Sequence, residues 1–191
     1  IIPTSQKLLK QAQRLKAFHE QHDSLKVNLV PADELFNEFS SGTPDASAYR
    51  RYMKMLYDRA TGEDDRPKYL LLFGDCLWDN RMITSYNTGK NPDDYLLAFE
   101  SENSYDRRVC YIDDGFHAML DDGEGLRPMY VDKLDIGVGR FPVVSDAEAK
   151  IMVDKTINYA ENGNGGAWQN TIMFMGDDGD YNMHMTDANL V

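Results

Sequence analysis

Tyr69-Leu70-Leu71-Leu72-Phe73-Gly74-Asp75 is the stretch on which the fold is decided. An unbroken apolar run stands between charged residues (Arg66, Lys68) and a Gly-Asp pair. Such a run reads as a strand buried on both faces, the pattern of a parallel sheet. Gly74 lets the chain turn and leaves Asp75 at the carboxyl end of the strand, the edge where ligand sites form in open α/β sheets. Asp75 therefore has two readings, a residue that ends a core strand or a residue of a site.

Elements alternate on either side of this run. Upstream, Ile1-Ile2 reads as the tail of a first strand. Thr4 or Ser5 can cap a helix to about His22, with Leu8, Ala12, Leu15 and Phe18 on one face. Lys26 to Val30 alternates around Val27 and Leu29 and stops at Pro31, which predicts a strand. Asp33 can cap a short helical turn to Phe39. Thr43-Pro44-Asp45 opens a helix with Pro in its first position and Ala46, Tyr49, Met53 and Leu56 as its buried stripe.

Downstream, residues 76–133 are irregular, and a loop region of that length is usually functional or peripheral. Tyr95 to Phe99 and Val109 to Ile112 are short strand candidates within it. Asp113-Asp114-Gly115 and Asp121-Asp122-Gly123 are turn signals. Leu134 to Val138 reads as a strand. Ser145-Asp146-Ala147-Glu148 is a capping box that starts a helix to about Ala160. Asn162-Gly163-Asn164-Gly165-Gly166 is a break. Thr171 to Met175 predicts a further buried strand, then come Gly176-Asp177-Asp178-Gly179-Asp180 and a helix from about Met185. The alternation argues for an α/β fold, a parallel sheet with helices on both faces.

Composition narrows the function. The 191 residues suffice for one domain or slightly more, and a hydrophobic share of 42% allows a sizeable core. The net charge of −12 argues against nucleic acid and against an anionic membrane surface. No apolar run approaches a membrane span and no signal peptide is evident, so direct membrane insertion is not expected. Cys76 and Cys110 form no C-x-x-C pair, which disfavours a cysteine-based zinc site. The abrupt ends at Ile1 and Val191 give the expectation of a piece of a longer protein.

Few motifs carry chemistry outright. Gly137-Val138-Gly139-Arg140 lacks the third glycine of a dinucleotide fingerprint and runs into Pro142 where a helix should begin. Cys76 follows the strand-end Gly-Asp but has no histidine near it in sequence, so a small buried or half-buried residue is the reading favoured over a nucleophile. His19 and His22 read as solvated or capping, and His117, among acids, as a surface residue. The acidic cluster Asp177, Asp178 and Asp180, with Asp187 beyond His184, is the sharpest feature. It could hold calcium or magnesium, orient a histidine base, or be a solvated turn.

Several stretches taken together resemble the gingipain-type cysteine peptidases, and among them the signal-peptidase (sortase) branch of the type IX secretion system. They are residues 36–46 (Phe-Asn-Glu-Phe-Ser-Ser-Gly-Thr-Pro-Asp-Ala), 69–75, Asp79-Asn80-Arg81, 135–142 (Asp-Ile-Gly-Val-Gly-Arg-Phe-Pro) with Glu148-Ala149, and 176–180. The resemblance is collinear and covers nearly the whole chain.

It implies a caspase-like (Rossmann-like) α/β catalytic unit in two subdomains, with residues 1–163 the first and 164–191 the truncated start of the second. It implies a cysteine endopeptidase that processes secreted proteins in a Gram-negative cell envelope, secreted or associated with the outer membrane. Its partners would be a protein or peptide substrate and the remainder of its own chain. No cofactor is required and calcium is the one candidate ion. None of His19, His22, His117, His184, Cys76 and Cys110 stands in the family's catalytic motifs, so residues 1–191 are expected to be inactive alone. Asp178 matches the acid that partners the catalytic histidine, with Asp177 the neighbouring register, and Asp180 matches the loop that shapes the substrate pocket. Two other classes stay open at this stage: a non-catalytic α/β binding module of an envelope protein, and a metal-dependent phosphoryl hydrolase using Asp75 and residues 177–180.

Overall fold

The computed structural model describes residues 1–3, 6–100, 110–125, 132–161 and 165–190. They fall into two compact units, Ile1–Ile157 and Asn158–Val191.

In the first unit, strand β2 (Tyr69–Phe73) lies in the middle of a three-stranded parallel sheet, between β1 (Ile2–Pro3) and β3 (Gly137–Phe141). Its side chains alternate between two cores, as strand geometry requires. Leu70 and Leu72 join the core built with Ala32, Leu35, Ala48, Tyr49 and Met53. Phe73, with Leu71 beside it, joins Leu8, Ala12, Leu15, Ala149 and Val153 in the other. Helices α2 (Ala32–Phe39) and α3 (Ser47–Arg59) therefore cover one face, and α1 (Gln6–His22) and α4 (Asp146–Glu161) the other. Each fully buried Leu or Phe on β2 contributes roughly 1.5–3 kcal/mol of transfer free energy. The expected α/β sheet with helices on both faces is what forms.

The helix starts carry the chemistry expected of them, with two shifts. The box at α4 closes: Glu148 N–H donates to Ser145 Oγ at 3.3 Å and Ser145 N–H to Glu148 Oε2 at 3.2 Å. At α3 the cap is Asp45, which accepts from Ser47 N–H at 2.8 Å and from its hydroxyl at 2.6 Å. Pro44 thus lies before the helix rather than in it, and Ala48 replaces Ala46 in the buried stripe. Asp33 lies inside the first turn of α2, after Pro31, and caps nothing. Thr4 and Ser5, expected to cap α1, lie outside the described residues, as do Val109, Asn162, Gly163 and Asn164.

Several strand expectations are corrected. Lys26 to Val30 forms no strand element. Its backbone is satisfied from elsewhere: Val27 N–H donates to Glu20 Oε1 at 3.3 Å, Val27 O accepts from Lys16 Nζ, and Val30 N–H donates to Ile1 O at 3.1 Å while Ile1 N donates to Asn28 O at 2.8 Å. The last two bonds run the segment beside β1 for a single step of a parallel ladder.

Leu134 to Val138 is displaced to Gly137–Phe141 because pairing with β2 sets the register, Tyr69 opposite Gly137 and Phe73 opposite Phe141. Leu134 is left 55% exposed. Tyr95 to Phe99 and the 110–112 part of the next candidate contribute only single bridges, Cys76 to Leu96 and Glu100 to Ile112. The irregular segment is not peripheral, since Leu96, Ala118 and Leu120 are buried in the core of α2 and α3.

In the second unit, Thr171 to Met175 is extended chain, not a buried strand; Ile172 is 80% and Met175 88% exposed. An apolar run becomes a strand only when a neighbour takes up its backbone groups, and no described residue pairs with it. Helix α5 (Gly179–Leu190) opens with Asp180, Tyr181 and Asn182 in the left-handed region, φ 49°, 58° and 64°. Three such residues in succession cost roughly 1–2 kcal/mol each.

Removing the centre of the sheet should be expensive and changing its exposed end cheap. Leu72→Ala is expected to lower unfolding free energy by about 3 kcal/mol. Tyr69→Thr, at a position 70% exposed, should change it by less than about 0.5 kcal/mol. Urea denaturation of the two variants beside the parent checks both.

Candidate active site

Asp75 stands at the carboxyl edge of the sheet, as the strand-Gly-Asp pattern predicts. Gly74 N–H donates to Phe141 O at 3.0 Å and Asp75 N–H to Val143 O at 3.1 Å, so pairing with the β3 side continues past β2. The Asp75 carboxylate accepts from Cys76 N–H at 2.9 Å, and Asp75 O accepts from Leu96 N–H at 2.8 Å. The carboxylate is thus engaged with the next residue's backbone and acts as a turn former.

Cys76 is half-buried, and burial pushes its thiol above the ordinary value. Arg140 opposes that shift, while Asp114 and Asp75 add to it. A thiol held protonated is a poor nucleophile. The second thiol, Cys110, accepts a hydrogen bond from Trp78 Nε1 at 2.9 Å. Neither cysteine is hydrogen-bonded to a histidine among the described residues.

The main charged feature of this edge was not assigned from sequence. Arg140, next to the last residue of β3, has a side chain only 10% exposed and grips Asp114 through two bonds, Nε to Oδ2 at 2.8 Å and Nη2 to Oδ1 at 2.6 Å. Its third contact is Nη1 to Gly74 O at 2.9 Å. Burial is the largest influence and disfavours the guanidinium charge, but the bonds to Asp114 together with the attraction of Cys76, Asp114 and Tyr49 raise its pKa on balance. Fork-to-carboxylate geometry of this kind is the strong form of an ion pair. A guanidinium in a sheet strand is a legible signal that a carboxylate could face it, yet sequence alone does not say which of the chain's many acids does.

His117 also corrects its expectation. Far from being on the surface, it is fully buried, and burial lowers its pKa to about 4. By contrast, His19 and His22 are half-exposed at the end of α1, and each bonds one oxygen of Asp23 at 2.6 Å.

An open groove of about 560 Å³ borders this edge, lined by residues 43–47, 80–81 and 97–100. Asn80 builds one wall by imitating a strand: its Nδ2 donates to Ala98 O and its Oδ1 accepts from Ala98 N–H, both at 2.8 Å. Asp79 organises the loop behind it, with Thr84 N–H at 2.7 Å as the largest of the bonds that bring its pKa to about 2.

In the second unit, Asp177, Asp178 and Asp180 are all exposed. Asp178 makes no hydrogen bond or ion pair among the described residues. Asp180 lies 3.4 Å from His184 Nε2, an exposed pair one helical turn apart. Gly176 is required by contact, since a Cβ there would stand 2.8 Å from the backbone of His184.

Among the described residues the acids that come together are not the predicted cluster: Asp121, Glu124 and Asp135 bring carboxylate oxygens within 4.8 Å of one another. Three carboxylates supply only part of the six to eight oxygens that calcium takes. Asp135 and Glu124 are already accepting backbone N–H groups of residues 120, 121 and 133.

Among the described residues no helix is long and apolar enough to cross a membrane. The family model of peptidase family C25 matches residues 1–190. No curated protein matches the chain. Among solved structures, the crystal structure of dimeric latent PorU from Porphyromonas gingivalis is similar, with 38% identity and a TM-score of 0.75 over 91% of this chain. The chain spans only 17% of that PorU chain.

Breaking the Arg140 pair from one side leaves a buried, unpaired guanidinium. Asp114→Asn should cost about 3 kcal/mol, while the double variant Asp114→Leu with Arg140→Met should recover part of the loss. A double-mutant cycle by chemical denaturation measures this coupling.

Proposed function

The chain belongs to peptidase family C25, the gingipain family, and on that premise we propose that it is the amino-terminal part of a cysteine endopeptidase that processes secreted proteins. The observation that carries this reading is the family match over residues 1–190. The likeness to PorU, a chain of which this one spans 17%, supports a longer whole protein. In this reading the protein acts as a sortase-like processing enzyme of type IX secretion at the cell envelope. Its substrate is protein, and its other essential partner is the remainder of its own chain.

Residues 1–163 are then the first subdomain and residues 164–191 the start of the second, catalytic one. The catalytic histidine and cysteine come from outside residues 1–191. The state of the thiols supports this: Cys76 is held protonated and Cys110 accepts from Trp78, so neither is prepared as a nucleophile. The histidines fit as well, two bonded to Asp23 and His117 buried.

Asp178 is proposed as the acid that orients the catalytic histidine. Its exposed carboxylate is uncommitted among the described residues, so it can accept an imidazole N–H. That would fix the tautomer and stabilise the imidazolium formed when the thiol gives up its proton. Asp180, in the left-handed turn that opens α5, is proposed to face the substrate pocket. The phosphoryl-hydrolase reading loses Asp75, whose carboxylate accepts Cys76 N–H.

Two measurements test the proposal. The 191-residue chain alone should show no thiol-dependent peptidase activity; turnover abolished by Cys76→Ala would overturn the assignment. In the full-length protein, Asp178→Asn should reduce turnover, by up to on the order of 10⁴ if the acid matters as it does in a serine triad, with the melting temperature preserved. Normal turnover in both Asp178→Asn and Asp177→Asn would remove this turn from the catalytic apparatus.

A further inference from the structure

The turn Asp114–Ala118 is fastened at Asp114 to the carboxyl edge of the sheet, and the residues that follow it are held by α3 and by Asp135, which precedes β3. Asp114 holds Arg140 of β3, which also reaches Gly74 O. From α3, Arg50 donates to Met119 O at 2.8 Å and to Glu124 O at 2.9 Å, and stands over the Phe116 ring at 5.3 Å. Ala118 O accepts from Asp135 N–H at 2.9 Å, and Leu120 N–H donates to the Asp135 carboxylate.

Within this clip His117 has 0% exposure, and neither Nδ1 nor Nε2 has a hydrogen-bond partner among the described residues. Its ring packs against Tyr49 and Phe116, both at centroid distances of 5.4 Å.

We propose that His117 is an acid-operated release: its protonation unfastens the Asp114–Ala118 turn from the carboxyl edge of the sheet and uncovers the Gly74–Cys76 corner. The closed clip has no place for an imidazolium. The charged groups that act on it are Asp114 from its own turn, Arg50 from α3 and Arg140 from β3. Two of these are cations, and the one anion is already held by both arms of Arg140. A buried cation without an acceptor is strongly disfavoured, so the proton is taken up by the open form, where water solvates it. Of the other titratable groups at this edge, the Tyr49 phenol and the Cys76 thiol are both raised by burial and stay neutral in mild acid.

The sign and the window follow from the histidine alone. The closed form titrates near pH 4 and the open form near the ordinary imidazole value of 6.5, so the open form binds more protons between them. The clip is therefore at full strength above about pH 6.5 and weakens as pH falls toward 4. The interval from pH 7 to pH 5 lies above the ordinary carboxylate range, and His117 is the histidine within residues 110–125, which makes it the responding group of that segment.

Hydrogen exchange of the full-length protein at pH 7 and pH 5, corrected for intrinsic exchange, reads the opening of residues 110–125 directly. The opening equilibrium should rise by about 20-fold between the two, with peptides of α1 and α4 unchanged. His117→Phe and His117→Gln should flatten the response. The same rise in both variants, or none in the parent, would overturn the proposal. A second reading needs no variant: deuterium exchange at the imidazole C2 of the parent protein reports the pKa of His117 itself. A value near 4 is expected, and an ordinary value near 6.5 would also overturn it.

Discussion

The parallel pairing of Tyr69–Phe73 between two neighbours is the constraint on which the first unit depends. A parallel strand in mid-sheet must bury both faces, and each must meet a helix layer. Leu70 and Leu72 anchor one core and Phe73 the other, so one five-residue strand joins α2 and α3 to α1 and α4. It also decides where β3 begins and where the carboxyl edge lies, and so which residues can form a site.

That edge is built less from secondary structure than from side chains that complete backbone pairing. Asn80 stands in for a strand beside Ala98, Asp75 and Asp79 close turns, and Arg140 ties Asp114 to Gly74 O. The long irregular segment is thereby made part of the core. Among its described residues stands His117, a titratable ring sealed among aromatic and cationic neighbours. A rigid edge with one group that cannot be charged in place is the arrangement from which a proton-driven opening arises.

The membership in peptidase family C25 gives the second unit its meaning. Its apolar run is exposed and its acids are solvated, while a left-handed turn holds Asp180 to Asn182 in a costly conformation. Backbone strain of this kind persists where surrounding structure maintains it and tends to cluster at functional sites. The proposed roles of Asp178 and Asp180 belong to a complete catalytic unit, in which the run from Thr171 to Met175 would find a partner strand.

By itself the sequence determined what depends on local chemistry. The apolar run 69–73 gave the central strand to the residue, because its ends are marked locally, by charge before it and Gly-Asp after it. The Ser145–Glu148 box gave the start of α4, because both halves of a reciprocal cap lie within one turn. The collinear stretches gave the family. Tertiary structure alone decided everything that depends on a distant partner. Lys26 to Val30 alternates like a strand but finds its hydrogen bonds on α1 and Ile1. Leu134 yields to Gly137 because the register belongs to β2. Asp114 becomes the mate of Arg140 across 26 positions of chain, and His117 goes inside because Tyr49 and Phe116 close over it. Pairing, register and burial are properties of two segments at once, and one segment's pattern cannot name the other.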